Sequence, residues 1–293
     1  PSEPVTDAVD DPLDADPPAG AEPADELPID PSGRLFELDE KAAVCAGAVE
    51  MLVRVLGVPS IPERPEIGRR ELILAVMLAC RGGSLAASTA QDALWGGKPV
   101  EPKTVWNLVT AARKALGDLP DGTPVMPAAD RTHGTLRLSP AVRTDLDVLR
   151  HAVAEADNLP SSQAIAVLDA ALQLIEGPPF DAPGYDWAHR DQDVTDAGRT
   201  IEAAVDRLVS LAADTGRHDI ARDAIRRGLR GLPGDEHLYR TRMRLEARAG
   251  NMRGVAAAYD ELIVYLQDIE AEPSPLTTAL YNDLRTQTTK VTV

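Results

Sequence analysis

Apolar residues repeat every three or four positions along most of the chain after residue 68, the spacing of helices with one buried face. The first such stretch, 69–80, carries Leu72, Ile73, Val76, Met77 and Cys80. A short second helix is predicted over 88–95, because Ser88 and Gln91 have capping-box spacing and Gly96 follows Trp95. A third is predicted over 102–116, with Pro102 at its first position and Gly117 after its end.

The third helix has two unlike faces when its residues are placed about 100° apart. Its apolar side consists of Val105, Leu108, Val109, Ala112 and Leu116. Its opposite side carries Lys103, Asn107, Thr110 and Lys114, with Trp106 and Arg113 flanking them. One face is therefore expected in the core, and the other is polar, positive and free of carboxylates.

Runs of β-branched residues lie on both sides of these helices. Residues 49–61 predict one or two short strands broken near Gly57 and Pro59. Residues 125–138 predict a β-hairpin whose tip carries Arg131 and His133. Strand, three helices and hairpin together predict a small mixed α/β head.

Beyond residue 144 the pattern is purely helical. Helices are predicted over 145–157, 162–176, 187–214, 218–230, 235–249, 252–270 and 275–287. The segments that begin at Gly216 and Gly250 are similar and lie 34 residues apart, with Ala224 matching Ala258. This is the period of tetratricopeptide helix pairs, in which small residues let paired helices approach closely.

Composition supports a mainly α protein, with a small mixed α/β head and an all-α, tetratricopeptide-like body. Apolar residues make up 44% of the chain but aromatic residues only 3%, as in Ala- and Leu-rich packed helices. Residues 1–42 are rich in Pro, Asp and Glu and predict a disordered acidic linker. The expected domains are this linker, a head over 43–143, a body over 144–288 and a tail over 289–293.

Charge is distributed unevenly, although the net charge is −17. Residues 1–42 carry −11, residues 43–143 carry +3 and residues 144–293 carry −9. The head is thus the only net-basic part and the part expected to meet an acidic partner.

Enzyme chemistry finds no support in the sequence. The five histidines are scattered, Cys45 and Cys80 match no metal or redox spacing, and no nucleophile-elbow or phosphate-loop pattern occurs. We therefore predict no enzymatic activity, no cofactor and no metal. The longest apolar run, Leu72–Cys80, is too short to span a bilayer, so no membrane contact is expected. The predicted location is the cytoplasm, and the Pro at position 1 suggests a piece of a longer protein, with a larger membrane-linked protein as one setting.

Several phrases in order resemble the Streptomyces antibiotic regulatory protein family over residues 49–288. The most specific are ALWGG before the third helix, Gly177-Pro178-Pro179-Phe180 and Glu272-Pro273-Ser274-Pro275. The resemblance implies an OmpR-like winged helix followed by a bacterial transcriptional activator domain, and a role in transcription regulation.

In that family the third helix enters the DNA major groove, the hairpin forms the wing, and the helical repeats contact partners such as RNA polymerase. The resemblance places DNA contacts at Lys103, Thr104, Asn107, Thr110, Arg113 and Lys114, with Arg131 and His133 on the wing. Asn pairs bidentately with adenine, and Arg or Lys reaches guanine or phosphate. The alternative is a protein-interaction scaffold within a larger multidomain protein, whose winged helix no longer binds DNA. For such a scaffold, the acidic body favours basic partners.

Overall fold

The computed structural model describes residues 49–129 and 134–291, with side chains described up to residue 286. The predicted linker over 1–42 and Cys45 therefore lie outside the described residues. The head contains β1 (Met51–Val53), α1 (Arg69–Cys80), β2 (Ser84–Ala86), α2 (Ala87–Trp95), α3 (Pro102–Leu116), β3 (Thr135–Arg137) and β4 (Val142–Thr144). The body contains α4 (Asp145–Glu155), α5 (Ser161–Leu172), α6 (Asp186–Arg190), α7 (Asp193–Asp214), α8 (His218–Gly231), α9 (Glu236–Arg248), α10 (Met252–Asp268) and α11 (Pro275–Val291). The chain is mainly α, as predicted.

The head has the element order expected of a winged helix. Helix α1 is its centre, with residues 73–79 all buried. Strand β2 pairs antiparallel with β3, where Leu85 faces Leu136. Strand β1 pairs parallel with the distant β4, so the first strand of the head is held by the last. One continuous core then joins the head to the first part of the body.

Two local features of the head differ from the sequence prediction. The capping box was wrong: α2 begins one residue earlier, after Ala86, and Ser88 lies inside it without capping it. The hairpin expected over 125–138 is formed only in part by the described residues, because β3 uses β2 as its ladder partner. Pro124 and Pro127 have no N–H groups to offer a ladder, and among the described residues a backbone bond from Ser139 N to Val125 O joins the two segments.

The body repeats its geometry at the predicted period. Helices α8 and α10 begin 34 residues apart, and each packs against the helix before it. Gly216 and Gly250 have φ angles of 74° and 70°, and the residue after each donates to the carbonyl five residues back, at 2.7 and 2.8 Å. Ala224 and Ala258 are fully buried, so the 34-residue period predicted from the sequence is confirmed.

The single helix predicted over 187–214 was wrong. It is divided into α6 and α7 at Gln192, whose φ of 67° cannot continue a right-handed helix. Asp191 and Asp193, on either side of the break, bind Arg81 of the head at 2.6 and 2.7 Å. The break thus places two carboxylates around one arginine.

Asp145 joins the head to the body. Its carboxylate, only 1% exposed, accepts hydrogen bonds from the backbone N–H groups of Val55 and Leu56 at 2.8 and 3.0 Å, and from Leu146 N at 2.9 Å. Burial raises the pKa of Asp145 to about 7, and the hydrogen bonds from Leu56 and Val55 oppose that rise. The first residue of α4 therefore holds the loop that follows β1.

The Gly177-Pro178-Pro179-Phe180 segment and its neighbours bind the carbonyl groups of the same head loop. The N–H groups of Glu176 and Phe180 donate to Leu56 O and Val55 O at 2.8 and 2.9 Å, and Asp181 N donates to Gly57 O at 3.1 Å. Phe180 has a φ of 58° and packs edge-on to Trp187, with ring centroids 5.9 Å apart. The segment therefore docks the body onto the loop after β1.

The Glu272-Pro273-Ser274-Pro275 segment fastens the last helix. Glu236 accepts from Ser274 N at 3.0 Å and from Ser274 Oγ at 2.5 Å, and it also accepts from Thr277 Oγ1. The segment therefore begins α11 and ties it to the start of α9.

Candidate nucleic-acid interface

Helix α3 has the two faces that its sequence predicts. Val105, Leu108, Val109, Ala112 and Leu116 are buried. Pro102 occupies the first turn, where a missing N–H costs nothing, and Gly117 follows with a φ of 65°. The buried stripe thus fixes which side of α3 faces outward.

The outward side contains all six of the α3 residues expected to contact DNA. Lys103, Thr104, Asn107, Thr110, Arg113 and Lys114 are exposed. Helix α3 contains no Asp or Glu, and its positive charges lie at both ends of the exposed face. A face of this kind attracts a polyanion and offers side chains suited to base edges.

Two hydrogen bonds limit what the α3 residues can do. Arg113 Nε donates to Met126 O at 3.1 Å, which holds this guanidinium beside the segment after α3. Thr110 Oγ1 donates to Trp106 O at 2.8 Å, one turn back along the helix. Lys103 and Lys114 at the two ends and Asn107 between them are therefore the residues best placed to reach outward.

The end of α3 is held by an arginine that the sequence analysis missed. Arg64 Nε donates to Leu116 O at 2.6 Å, and its Nη2 donates to Asp118 O at 2.9 Å. The Leu116 carbonyl lies in the last turn of α3, where backbone acceptors lack helical partners, and the Asp118 carbonyl lies two residues beyond it. Arg64 lies 52 residues before Leu116, so no local pattern could have shown the contact.

Other head arginines face the body rather than the α3 surface. Arg81 binds two carboxylates and lies 5.6 Å from the centre of the Trp187 ring, Arg54 pairs with Glu176, and Arg69 Nη2 donates to Pro183 O at 2.8 Å. The positive charge of the head is thus divided between the α3 face and the contact with the body.

The two wing residues, Arg131 and His133, lie outside the described residues. Strand β3 begins just after them and is anchored by its ladder with β2. Trp95 and Trp106 are half-buried and pack against the core.

No group of three His, Cys, Asp or Glu side chains in the described ranges is arranged to hold a metal ion. None of the helices in that part of the chain is long and apolar enough to cross a membrane.

A three-helix head with one polar, carboxylate-free helix face, followed by stacked helix pairs, is the fold class of a winged-helix head joined to a tetratricopeptide-like body. Residues 144–285 match the family model of the bacterial transcriptional activator domain. No curated protein matches the chain.

A solved structure supports the fold across both parts. The chain is similar to Mycobacterium tuberculosis EmbR in complex with low affinity phosphopeptide, with a TM-score of 0.53 and 22% identity. The match covers 81% of this chain and 65% of that one, so this chain spans less than two thirds of the length of EmbR. The two proteins therefore share a fold.

Proposed function

We propose that this chain is a transcription regulator that binds double-stranded DNA through α3 and partner proteins through its helical body. The observation that carries the proposal is the exposed α3 face, which has three cations, an asparagine between them and no carboxylate. The activator-domain match over 144–285 supports the regulatory part. RNA polymerase is the partner that the family resemblance implies.

The charge on α3 predicts the affinity. About three phosphate contacts per head give a log–log salt slope of about −3, so binding should be modest and quickly lost as salt rises. Titration of labelled duplex DNA at several salt concentrations measures this slope. Absence of binding at about 50 mM salt, where phosphate contacts are weakly screened, would exclude DNA binding by this chain.

Two substitutions separate charge from base reading. Lys114→Glu should weaken binding to all duplexes alike and reduce the salt slope by about 1, since it removes a phosphate contact. Asn107→Ala should change sequence preference if the amide reads a base. Arg253→Glu, an exposed charge reversal on α10, is the matched control and should leave DNA binding unchanged. If Lys114→Glu and Asn107→Ala behave alike, the assignment of the α3 face is wrong.

The second candidate function is a protein-interaction scaffold, which the net charge of −9 over residues 144–293 favours. Recovery of partners by the full chain, compared with a Lys103→Glu, Lys114→Glu double variant, distinguishes the two. Equal recovery together with no DNA binding by either protein would select the scaffold. Loss of partners with loss of DNA binding would select the regulator that assembles on DNA.

A further inference from the structure

An open groove of about 700 Å³ lies on the body beside the loop that docks the head. One wall is the segment 178–183, and the opposite wall is the turn between α8 and α9. Its lining consists of Pro178, Pro179, Phe180, Asp181, Ala182, Pro183, His189, Val194, Gly231, Leu232, Pro233, Gly234 and Asp235. Most of these residues are apolar.

The groove is preformed because the residues of its walls pack against the core of the body. Phe180 is only 2% exposed and belongs to the core. At Gly231, an added Cβ would lie 2.9 Å from Ile175 Cγ2, so only glycine allows this approach. Gly234 has a φ of 75°, and a Cβ there would overlap the ring of Tyr265. A ligand would therefore enter an existing shape and would not have to order one.

The charged side chains that line the groove are acidic, and an arginine of the head, Arg69, is bound to Pro183 O at the end of one wall. Its lining contains the carboxylates of Asp181 and Asp235 and no Lys or Arg. Glu202 lies beside Asp235, and its pKa is raised by burial first and then by the neighbouring carboxylate of Asp235. A cationic group at this end of the groove would relieve the repulsion between the two acids.

We propose that this groove binds a short segment of a partner protein in which an apolar side chain is flanked by Lys or Arg. The proposal deepens the proposed function, on which it rests, by assigning the surface of the body that takes the partner. The apolar walls recognise the central side chain, and Asp181 and Asp235 recognise its charged neighbours.

Charge selects this occupant over two others from the chain itself. The segment 1–42 carries −11 and would be repelled by the two carboxylates. The body of a second copy carries −9 over residues 144–293 and would be repelled in the same way. A basic, apolar segment of another protein matches the charges of the groove.

The test uses the full chain and short fluorescein-labelled peptides in an anisotropy titration. The probe carries one Phe between pairs of Arg. One comparison peptide replaces Phe by Ser, and the other replaces every Arg by Glu. The Phe/Arg peptide should bind, and either replacement should weaken binding about tenfold or more, since both the apolar contact and the charge contacts contribute. Equal binding of the Phe and Ser peptides would overturn the proposal, as would no binding of the Phe/Arg peptide.

Variants locate the binding. Asp181 is exposed, so Asp181→Lys should fold normally and weaken Phe/Arg peptide binding about tenfold. Asp260→Lys, the same charge change at an exposed position of α10, should leave binding unchanged. Equal loss in both variants would show general attraction to an acidic protein and would also overturn the proposal. If the Phe/Arg peptide does not bind but the full chain still recovers partners, only the assignment of the groove is rejected. If the full chain neither recovers partners nor binds DNA, the proposed function is rejected.

Discussion

Replacing Asp145 by Ala should loosen the link between the head and the body. The carboxylate is the acceptor for the N–H groups of Val55 and Leu56, residues that are 0% and 1% exposed. Alanine would leave both N–H groups in a region that water does not reach. It would also remove the acceptor for Leu146 N in the first turn of α4, where no helical acceptor exists.

The expected loss can be worked from these contacts. Each buried donor left without an acceptor costs about 1–3 kcal/mol. Removing the buried carboxyl offsets part of this free-energy cost, because the burial of a carboxyl group is itself unfavourable. The net cost should be about 3–5 kcal/mol, a large share of the roughly 5–15 kcal/mol that stabilises a typical domain.

Urea denaturation followed by far-ultraviolet circular dichroism measures the change in the free energy of unfolding. Asp214→Ala is the control, since Asp214 is exposed at the end of α7 and its loss should change stability by less than about 0.5 kcal/mol. A cost below about 1 kcal/mol for Asp145→Ala would show that the two N–H groups find other acceptors. The role assigned to Asp145 would then be wrong.

Three further outcomes are expected. The pKa of Asp145 is raised to about 7 from an ordinary value of 3.8. The free energy of unfolding of the wild type, relative to that of Asp145→Asn, should therefore fall as pH rises from about 4 to 7. A relative gain in that range would contradict the raised pKa. Hydrogen bonds from Arg222 lower the pKa of Glu246. The wild type should therefore be more stable than Glu246→Gln above the ordinary pKa of 4.5, and this difference should disappear on acidification below it. Urea denaturation at a series of pH values tests the direction of both pH dependences. Gly234→Ala should lower the melting temperature much more than Gly250→Ala. Both glycines have φ near 70°, but only at Gly234 would the added Cβ meet a side chain, that of Tyr265. Equal decreases in melting temperature would show that backbone strain alone matters.

Local sequence determined much of α3 and the repeat. The bounds 102–116 follow from Pro102, Gly117 and the apolar spacing between them, and the structure has the same helix. The 34-residue period likewise appears in the starts of α8 and α10. These features could be predicted because helix periodicity and its end signals involve residues only a few positions apart.

The contact between head and body was decided only by the tertiary structure. Asp145 and Val55 are 90 residues apart, and Arg81 and Asp193 are 112 apart. The bonds of Asp145 are to backbone N–H groups, which every non-proline residue has and which leave no mark on the sequence. The break at Gln192 also has no local signal, because neither glycine nor proline occurs there.

The two candidate surfaces differ in the same way: one follows from local sequence and the other from tertiary packing. The polar face of α3 was predicted from the sequence, because it is one side of a single helix whose other side must be buried. The groove was not, because Phe180, Leu232 and Asp235 come from segments about 50 residues apart and meet only when the helix pairs stack. The sequence by itself thus determined which face of α3 is exposed. Only the packing of the helix pairs decided which distant loops form the groove.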